Sequence, residues 1–229
     1  MAVNRVGTID DRVKVRTVLL SVSDKFALET LARGLLAANP EVRFLSTGGT
    51  HSALQSLLGA SASTSLRQVS DYTGQPEMQG GLVKTLDFKI YLGLLSETDN
   101  AAHRADLART GSAVIDMVVA NLYPFEQTVA AARATLEDAR ANIDIGGPCM
   151  VRAAAKNFHR VAVLTDPSDY PAVVDELSKQ NGTLRLATRY RLAQKAFRLI
   201  ARYDAAIADY LDSTPLPAGT GIYTIRNGA

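Results

Sequence analysis

The run Ala113 to Ala120, AVIDMVVA, limits the fold more than any other stretch, because it is apolar at every position except Asp116. A run this short and this apolar fits a central strand covered on both faces, which is the usual state of strands in a parallel sheet. Its surroundings agree. Thr17 to Val22 (TVLLSV), Val42 to Ser46, Leu66 to Val69 and Val161 to Leu164 are further short apolar runs, separated by longer amphipathic segments. Asp24 is placed to cap a helix carrying Leu28, Leu31, Ala32, Leu35 and Leu36 on one face. Other helices are expected over Thr50 to Leu58, from about Thr128 to Arg140, from near Pro148, and from Ser168 after a Thr165-Asp166-Pro167 cap. Leu186, Tyr190, Ala193, Phe197, Ile200, Ile207 and Leu211 recur at helical spacing, broken by Asp204, and predict one long terminal helix. The expected fold class is α/β, a parallel-rich sheet flanked by helices with a long C-terminal helix. Its organisation is an N-terminal arm over 1–15, one domain over 16–212, and a tail over 213–229 containing Pro215, Pro217, Gly219 and Gly221.

Charge and composition narrow the function. The chain has 25 Lys and Arg against 23 Asp and Glu, so it carries no field suited to holding nucleic acid unaided. Its single cysteine, Cys149, cannot form an internal disulfide, and no apolar run approaches the roughly 18 residues of a membrane span. The N-terminal segment lacks the apolar core of a signal peptide, and a cytoplasmic location is expected. His51, His103 and His159 lie far apart without ligand spacing, so a metal site is not expected.

Four polar clusters, SVSDK, STGGT, NLYPF and TDPSDY, fall at or just after the C-terminal ends of predicted strands. In open parallel sheets ligands bind at that edge, so a pocket is expected there. Ser46, Thr47, Gly48, Gly49 and Thr50 join a strand end to a helix start, where free N–H groups and the helix dipole suit a phosphate. Ser21 and Lys25 add a hydroxyl and an ammonium group from what is expected to be the neighbouring strand. Asp144 precedes Gly146, Gly147 and a helix start at Pro148; local sequence suits it equally to capping that helix and to moving a proton. Arg152 and Lys156 share one face of the following helix, a pattern that is usually a solvated stripe.

The strings SVSDK, STGGT, VSDYTGQPEMQGGLVKTL, NLYPFEQTV, NIDIGGP, RAAAKN and KAF with YDAAIADYL occur in that order between about Arg16 and Leu211. Together they resemble the IMP cyclohydrolase domain of the bifunctional enzyme that ends purine synthesis, a domain of the methylglyoxal-synthase-like fold group. The resemblance implies closure of the purine ring of a 5-formamidoimidazole-4-carboxamide ribonucleotide, with loss of water to give IMP and with neither a metal nor an organic cofactor. It places Ser21, Lys25 and Thr47 to Thr50 on the phosphate positions, and Lys84 and Thr85 on the substrate-binding segment. Asn121, Tyr123, Asp144, Gly146, Gly147 and Lys156 fall on the catalytic region, with Asp144 as base or orienting group and Tyr123, Lys156 and backbone amides as oxyanion donors. A homodimer, a phosphorylated ribonucleotide substrate, and a separate upstream enzyme that installs the formyl group are also implied, because the sequence stops shortly after the terminal helix.

The chain departs from the family where GRVKTLHPKIHGG is usual. Leu82 replaces an arginine, Asp87-Phe88 replaces His-Pro, and Tyr91 replaces a second histidine, while Phe158 and Leu199 replace two more. Loss of a bidentate anion binder and of groups that titrate near neutrality suggests one rewritten pocket wall, including Asp87 as a substrate contact, and so an altered substrate in specialised nucleotide metabolism. An ordinary IMP cyclohydrolase, a non-catalytic purine-nucleotide-binding or regulatory module, and a phosphate-eliminating lyase are the alternatives.

Overall fold

The chain was described as a computed structural model covering residues 5–75, 85–214, 216 and 222–223. It enters through β1 (Arg12–Lys14) and then supplies five parallel strands: β2 (Thr17–Val22), β3 (Arg43–Ser46), β4 (Leu66–Gln68), β5 (Met117–Asn121) and β6 (Ala162–Leu164). Their spatial order is β4-β3-β2-β5-β6, while β1 pairs antiparallel with β7 (Thr183–Arg185). The segment expected to be an N-terminal arm contains the paired strand β1. The chain winds outward from β2 to β4, returns to β5 and winds the other way, so the order reverses between β2 and β5. A crevice is expected outside the carboxyl ends of the strands at such a reversal.

Helices cover both faces of this sheet, and strand periodicity decides which side chain meets which layer. Val18, Leu20 and Val22 pack with α1 (Leu28–Ala38), α2 (Gly48–Leu58), the short α3 (Ala62–Ser65) and α10 (Tyr170–Lys179). Leu19, Val118 and Ala120 point the other way, into a layer containing α4 (Val69–Thr73), α5 (Phe88–Leu95), α9 (Gly146–Lys156) and α11 (Leu186–Ser213). Helix α6 (Ala101–Thr110) closes one end, and α7 (Phe125–Val129) and α8 (Leu136–Ala141) pass over the carboxyl edge of β5. No described helix is long and apolar enough to cross a membrane.

Three local expectations are corrected. The helix expected over Thr128 to Arg140 is two short ones, because Thr135 and Asp138 form a reciprocal capping box that starts α8 afresh. Asp24 accepts the Phe26 N–H at 2.9 Å, but the helix begins only at Leu28, after Ala27 with φ 55°. The apolar stripe of α11 is also rotated. Its buried residues are Arg189, Leu192, Ala193, Ala196, Ile200 and Tyr203, leaving Tyr190, Phe197 and Leu211 exposed. Ala153 and Ala154 of α9 belong to the same core as Ala193 and Ala196, and small residues on both helices allow the close approach. Asp204 therefore sits on the exposed side and interrupts nothing.

Two buried arginines hold the loops. Arg160 donates to the carbonyls of Gly93, Ser96 and Ile115 at 2.6–3.0 Å and pairs with Asp116 at 3.3 Å. The other oxygen of Asp116 accepts the N–H groups of Arg16 and Thr17, so the lone polar position in AVIDMVVA fastens β5 to the entry of β2. Arg189 donates to the carbonyls of Asp10, Asp11, Phe158, His159 and Leu184, tying the N-terminal residues to α11.

Gly93 tests this packing. A Cβ there would stand 2.4 Å from the Ala113 carbonyl oxygen and 3.0 Å from Ile115. Gly93→Ala is expected to cost about 1–3 kcal/mol through the forced shift of the segment leading into β5. A urea unfolding midpoint equal to that of the parent protein would contradict this.

Candidate functional site

At the carboxyl ends of β2, β3 and β5 the chain forms a cavity of about 430 Å³. Its β2 side is held by Asn121, whose carboxamide oxygen accepts the N–H groups of Ser23 and Asp24 at 2.5 and 2.9 Å and the Ser23 hydroxyl at 2.8 Å. The Asn121 amide group returns a bond to the Asp24 carbonyl at 3.1 Å. Asn121 is thus fully engaged in orienting the SVSDK loop across the boundary between β2 and β5. Lys25 lines the cavity with its ammonium group bonded to the Val22 and Ser23 carbonyls, and burial pulls its pKa down against the opposing charge of Asp24.

The β3 side is the first turn of α2. Thr47, Gly48, Gly49 and Thr50 all line the cavity; the N–H groups of Gly48 and Gly49 open the helix without intrahelical acceptors, whereas the Thr50 N–H donates to the Thr47 carbonyl at 3.0 Å. Thr47 and Ser21 share a hydroxyl–hydroxyl bond of 3.1 Å. Thr50 accepts the Val22 N–H and donates to the Val22 carbonyl, so its hydroxyl joins α2 to β2. Ser46, expected among the binding residues, is fully buried and donates to the Leu20 carbonyl at 3.0 Å. Its side chain stabilises the sheet and does not line the cavity.

The opposite wall comes from Thr85 and the entry to α9. Asp144 lines the cavity and accepts the Gly147 N–H at 2.8 Å, so it caps the entry of α9. Burial raises its pKa, opposed by hydrogen bonds from the backbone N–H groups of Gly147 and Tyr123. Both glycines are sterically required. A Cβ on Gly147 would stand 2.5 Å from an Asp144 carboxyl oxygen, and one on Gly146 would stand 2.8 Å from the Thr85 hydroxyl. Tyr123, 48% exposed, brings a phenol to the rim, and Ile145 adds an apolar edge.

Sequence reasoning missed Tyr203, which does not line the cavity but fixes its key carboxylate. Its buried hydroxyl accepts the Asp144 backbone N–H at 2.8 Å and donates to the Asn142 carbonyl at 3.2 Å, while its ring packs edge-on to Phe125. The signal was present in the YDAAIADYL string, but only the fold brings residue 203 to residue 144.

Several expected site residues lie elsewhere. Lys156 is the last residue of α9 and exposed; at 1.5 Å per residue it stands about 15 Å along the helix from Gly146. It does not line the cavity, so the oxyanion role expected from its sequence position is not met within this chain. Asp87 is buried and caps α5 by accepting the Lys89 N–H at 2.8 Å. Tyr91 lies against Cys149, Phe158 stacks edge-on with His159 and Tyr190, and Leu199 is on α11. None of the substituted positions Asp87, Phe88, Tyr91, Phe158 and Leu199 lines the cavity, so these five give no support to the expected rewritten wall. Leu82 and Lys84 lie outside the described residues. The TDPSDY cluster ends β6 but serves structure: Lys195 pairs with Asp166 and Asp169, and Arg191 with Asp169.

Comparison with known proteins agrees with the fold. The family model of the MGS-like domain matches residues 27–149. The chain belongs to the MGS-like domain family. A second model, the AICARFT/IMPCHase bienzyme, matches residues 154–226. Curated relatives include the bifunctional purine biosynthesis protein PurH of Xanthomonas campestris, 49% identical over 203 residues, which are 89% of this chain and 37% of the relative. PurH of Acidithiobacillus ferrooxidans is 47% identical over 87% of this chain and 37% of the relative, and PurH of Chlorobium luteolum is 47% identical over 93% and 40%. The chain thus spans about two-fifths of the length of these relatives, and matches their cyclohydrolase part. Among solved structures, ForH superposes with a TM-score of 0.70 at 35% identity, covering 85% of this chain and 98% of that one.

The burial of Asp144 is directly measurable. Its carboxyl is expected to titrate above the ordinary value of 3.8 when followed by carbon NMR. Since the folded state then holds the proton more tightly than the unfolded chain, this group's contribution to stability falls as pH rises from the unfolded to the folded pKa. A midpoint at or below 3.8 would contradict the assigned environment.

Proposed function

We propose that the chain closes the six-membered ring of a purine nucleotide, converting a 5-formamidoimidazole-4-carboxamide ribonucleotide to IMP and water. The observation that carries this reading is one cavity joining a helix N-terminus, with Ser21 and Lys25 beside it, to the desolvated carboxylate of Asp144. The first feature suits a 5′-phosphate and the second a proton transfer. The family's role in purine biosynthesis and the match to the cyclohydrolase part of PurH support the same reading.

In this reading the phosphate sits on the N–H groups of Gly48 and Gly49, with the Thr47 hydroxyl and Lys25 as further donors. The carboxamide nitrogen attacks the formyl carbon, Asp144 accepts a proton from that nitrogen, and the formyl oxygen is protonated to a hydroxyl. That hydroxyl then leaves with a second proton as water, giving the new C–N double bond. An amide nitrogen is a poor nucleophile, so a carboxylate whose proton affinity is raised by burial is well matched to the step. Tyr123 donates to the formyl oxygen as charge develops, with N–H groups of the α9 entry beside it. Thr85 and Lys84 anchor the substrate, Asn121 orients the SVSDK loop, and Gly146 and Gly147 give the space that keeps Asp144 in position. The formyl group comes from a separate activity, and a homodimer is taken as the working state.

An altered substrate loses its main argument once Asp87, Phe88 and Tyr91 are found off the cavity. The ordinary substrate is therefore preferred. Purified protein incubated with the formylated imidazole carboxamide ribonucleotide is expected to form IMP, followed by absorbance. Asp144→Asn is expected to lower kcat by about 10²–10⁴. In the parent protein kcat falls as pH is lowered through the raised Asp144 pKa, because the base must be ionised. Tight nucleotide binding without turnover would instead indicate a binding module.

Tyr203 is a positioning residue in this scheme. Tyr203→Phe is expected to lower kcat about tenfold while KM changes less than about twofold, since loss of the bond to the Asp144 N–H misaligns the base without touching the phosphate end. Equal losses in binding and turnover would contradict that role.

A further inference from the structure

We infer that a cleft at the opposite edge of the sheet is a second site, for a multiply charged phosphate compound. The cleft has a volume of about 800 Å³ and lies where β1 and the entry to β2 face α6 and residues 96–98. Arg12, Lys14 and Arg16 line it from one extended stretch, and Arg104 lines it from α6. Among the described residues, Arg12, Arg16 and Arg104 form no ion pair; Arg104 donates to the Thr98 carbonyl, and Lys14 to the Asn181 carbonyl at 2.6 Å.

The carboxylates in the cleft do not cancel this charge. Asp116 is buried against Arg160 and accepts two backbone N–H groups, with Arg16 acting on it from beyond pairing distance. Glu97 lies 3.7 Å from His103, which offsets its charge only when protonated. Asp10 and Glu97 thus face four cationic side chains from two elements, Arg12, Lys14, Arg16 and Arg104, which leaves an excess of positive charge. Convergent arginines in a concavity are suited to phosphate oxygens, which they bind in a fork that a lysine cannot reproduce. The volume lies within the range of small-ligand sites, and Leu107 and Val114 offer an apolar wall beside the cations. This arrangement fits a compound with two or more phosphate charges, either a nucleotide or an inorganic phosphate chain.

The cleft is distinct from the catalytic cavity. Thr17 lines the cleft and Val22 lines the cavity, so the length of β2 separates them, about 16 Å at the rise of a strand. The inference stands apart from the proposed ring closure, since it uses none of the same residues.

Nitrogen-15 labelled protein titrated separately with inorganic pyrophosphate and with ATP tests it. Saturable amide shifts are expected at Thr17, Thr98, Arg104 and Thr183, with affinity reduced at least tenfold in an Arg12→Ala/Arg16→Ala variant whose spectrum is otherwise unchanged. Arg104→Ala gives an independent check from the other wall. Tighter binding of ATP identifies a nucleotide site, and equal binding identifies a site for the phosphate chain. Shifts confined to residues 48–50 and 146–147, or unchanged affinity in both variants, would overturn the inference.

Discussion

The site depends on the hydrogen-bonded position of β2, paired with β3 on one side and β5 on the other. Because the chain winds away from β2 in both directions, the loops after β2 and β5 diverge and leave space between them. Asn121 spans that boundary, meeting the backbone of Ser23 and Asp24. Thr50 makes the equivalent bridge between α2 and β2. Pairing therefore determines which polar clusters meet: those following β2, β3 and β5 share a cavity, whereas the cluster after β6 is drawn into ion pairs with α11.

The second constraint is steric. Asp144 lies where two consecutive glycines remove the side chains that would displace it, and where a phenol from α11 fixes its backbone. Burial without a cationic partner raises the proton affinity of the carboxyl, and two backbone N–H groups limit that rise. This balance of desolvation and hydrogen bonding suits a group that takes up a proton and releases it again. Asp116, also buried, is instead committed to Arg160 and serves structure. The same residue type thus takes two roles, set by whether an arginine reaches it.

Much of this was legible in the sequence because it is local. Apolar runs marked the parallel strands, and the polar clusters at their ends marked the edge where the cavity forms. Long-range effects were hidden. Lys156 with Arg152 reads locally as a solvated stripe and takes an oxyanion role only from the family resemblance; helical rise carries it to the far end of α9. Asp87 and its neighbours read as a pocket wall because they depart from the family motif, yet Asp87 closes the first turn of α5. The stripe on α11 was misplaced because alanine faces, which allow the closest packing, carry little hydrophobic signal, and because a buried Arg189 reads as surface in any sequence pattern.

The central claim is that one nucleotide spans the cavity, with its phosphate on the first turn of α2 and its base at Asp144. A crystal structure with IMP bound tests this most directly. The account predicts phosphate oxygens within hydrogen-bond distance of the Gly48 and Gly49 N–H groups, and the six-membered ring against Asp144 and Tyr123. A phosphate held elsewhere, or a base turned away from Asp144, would contradict it.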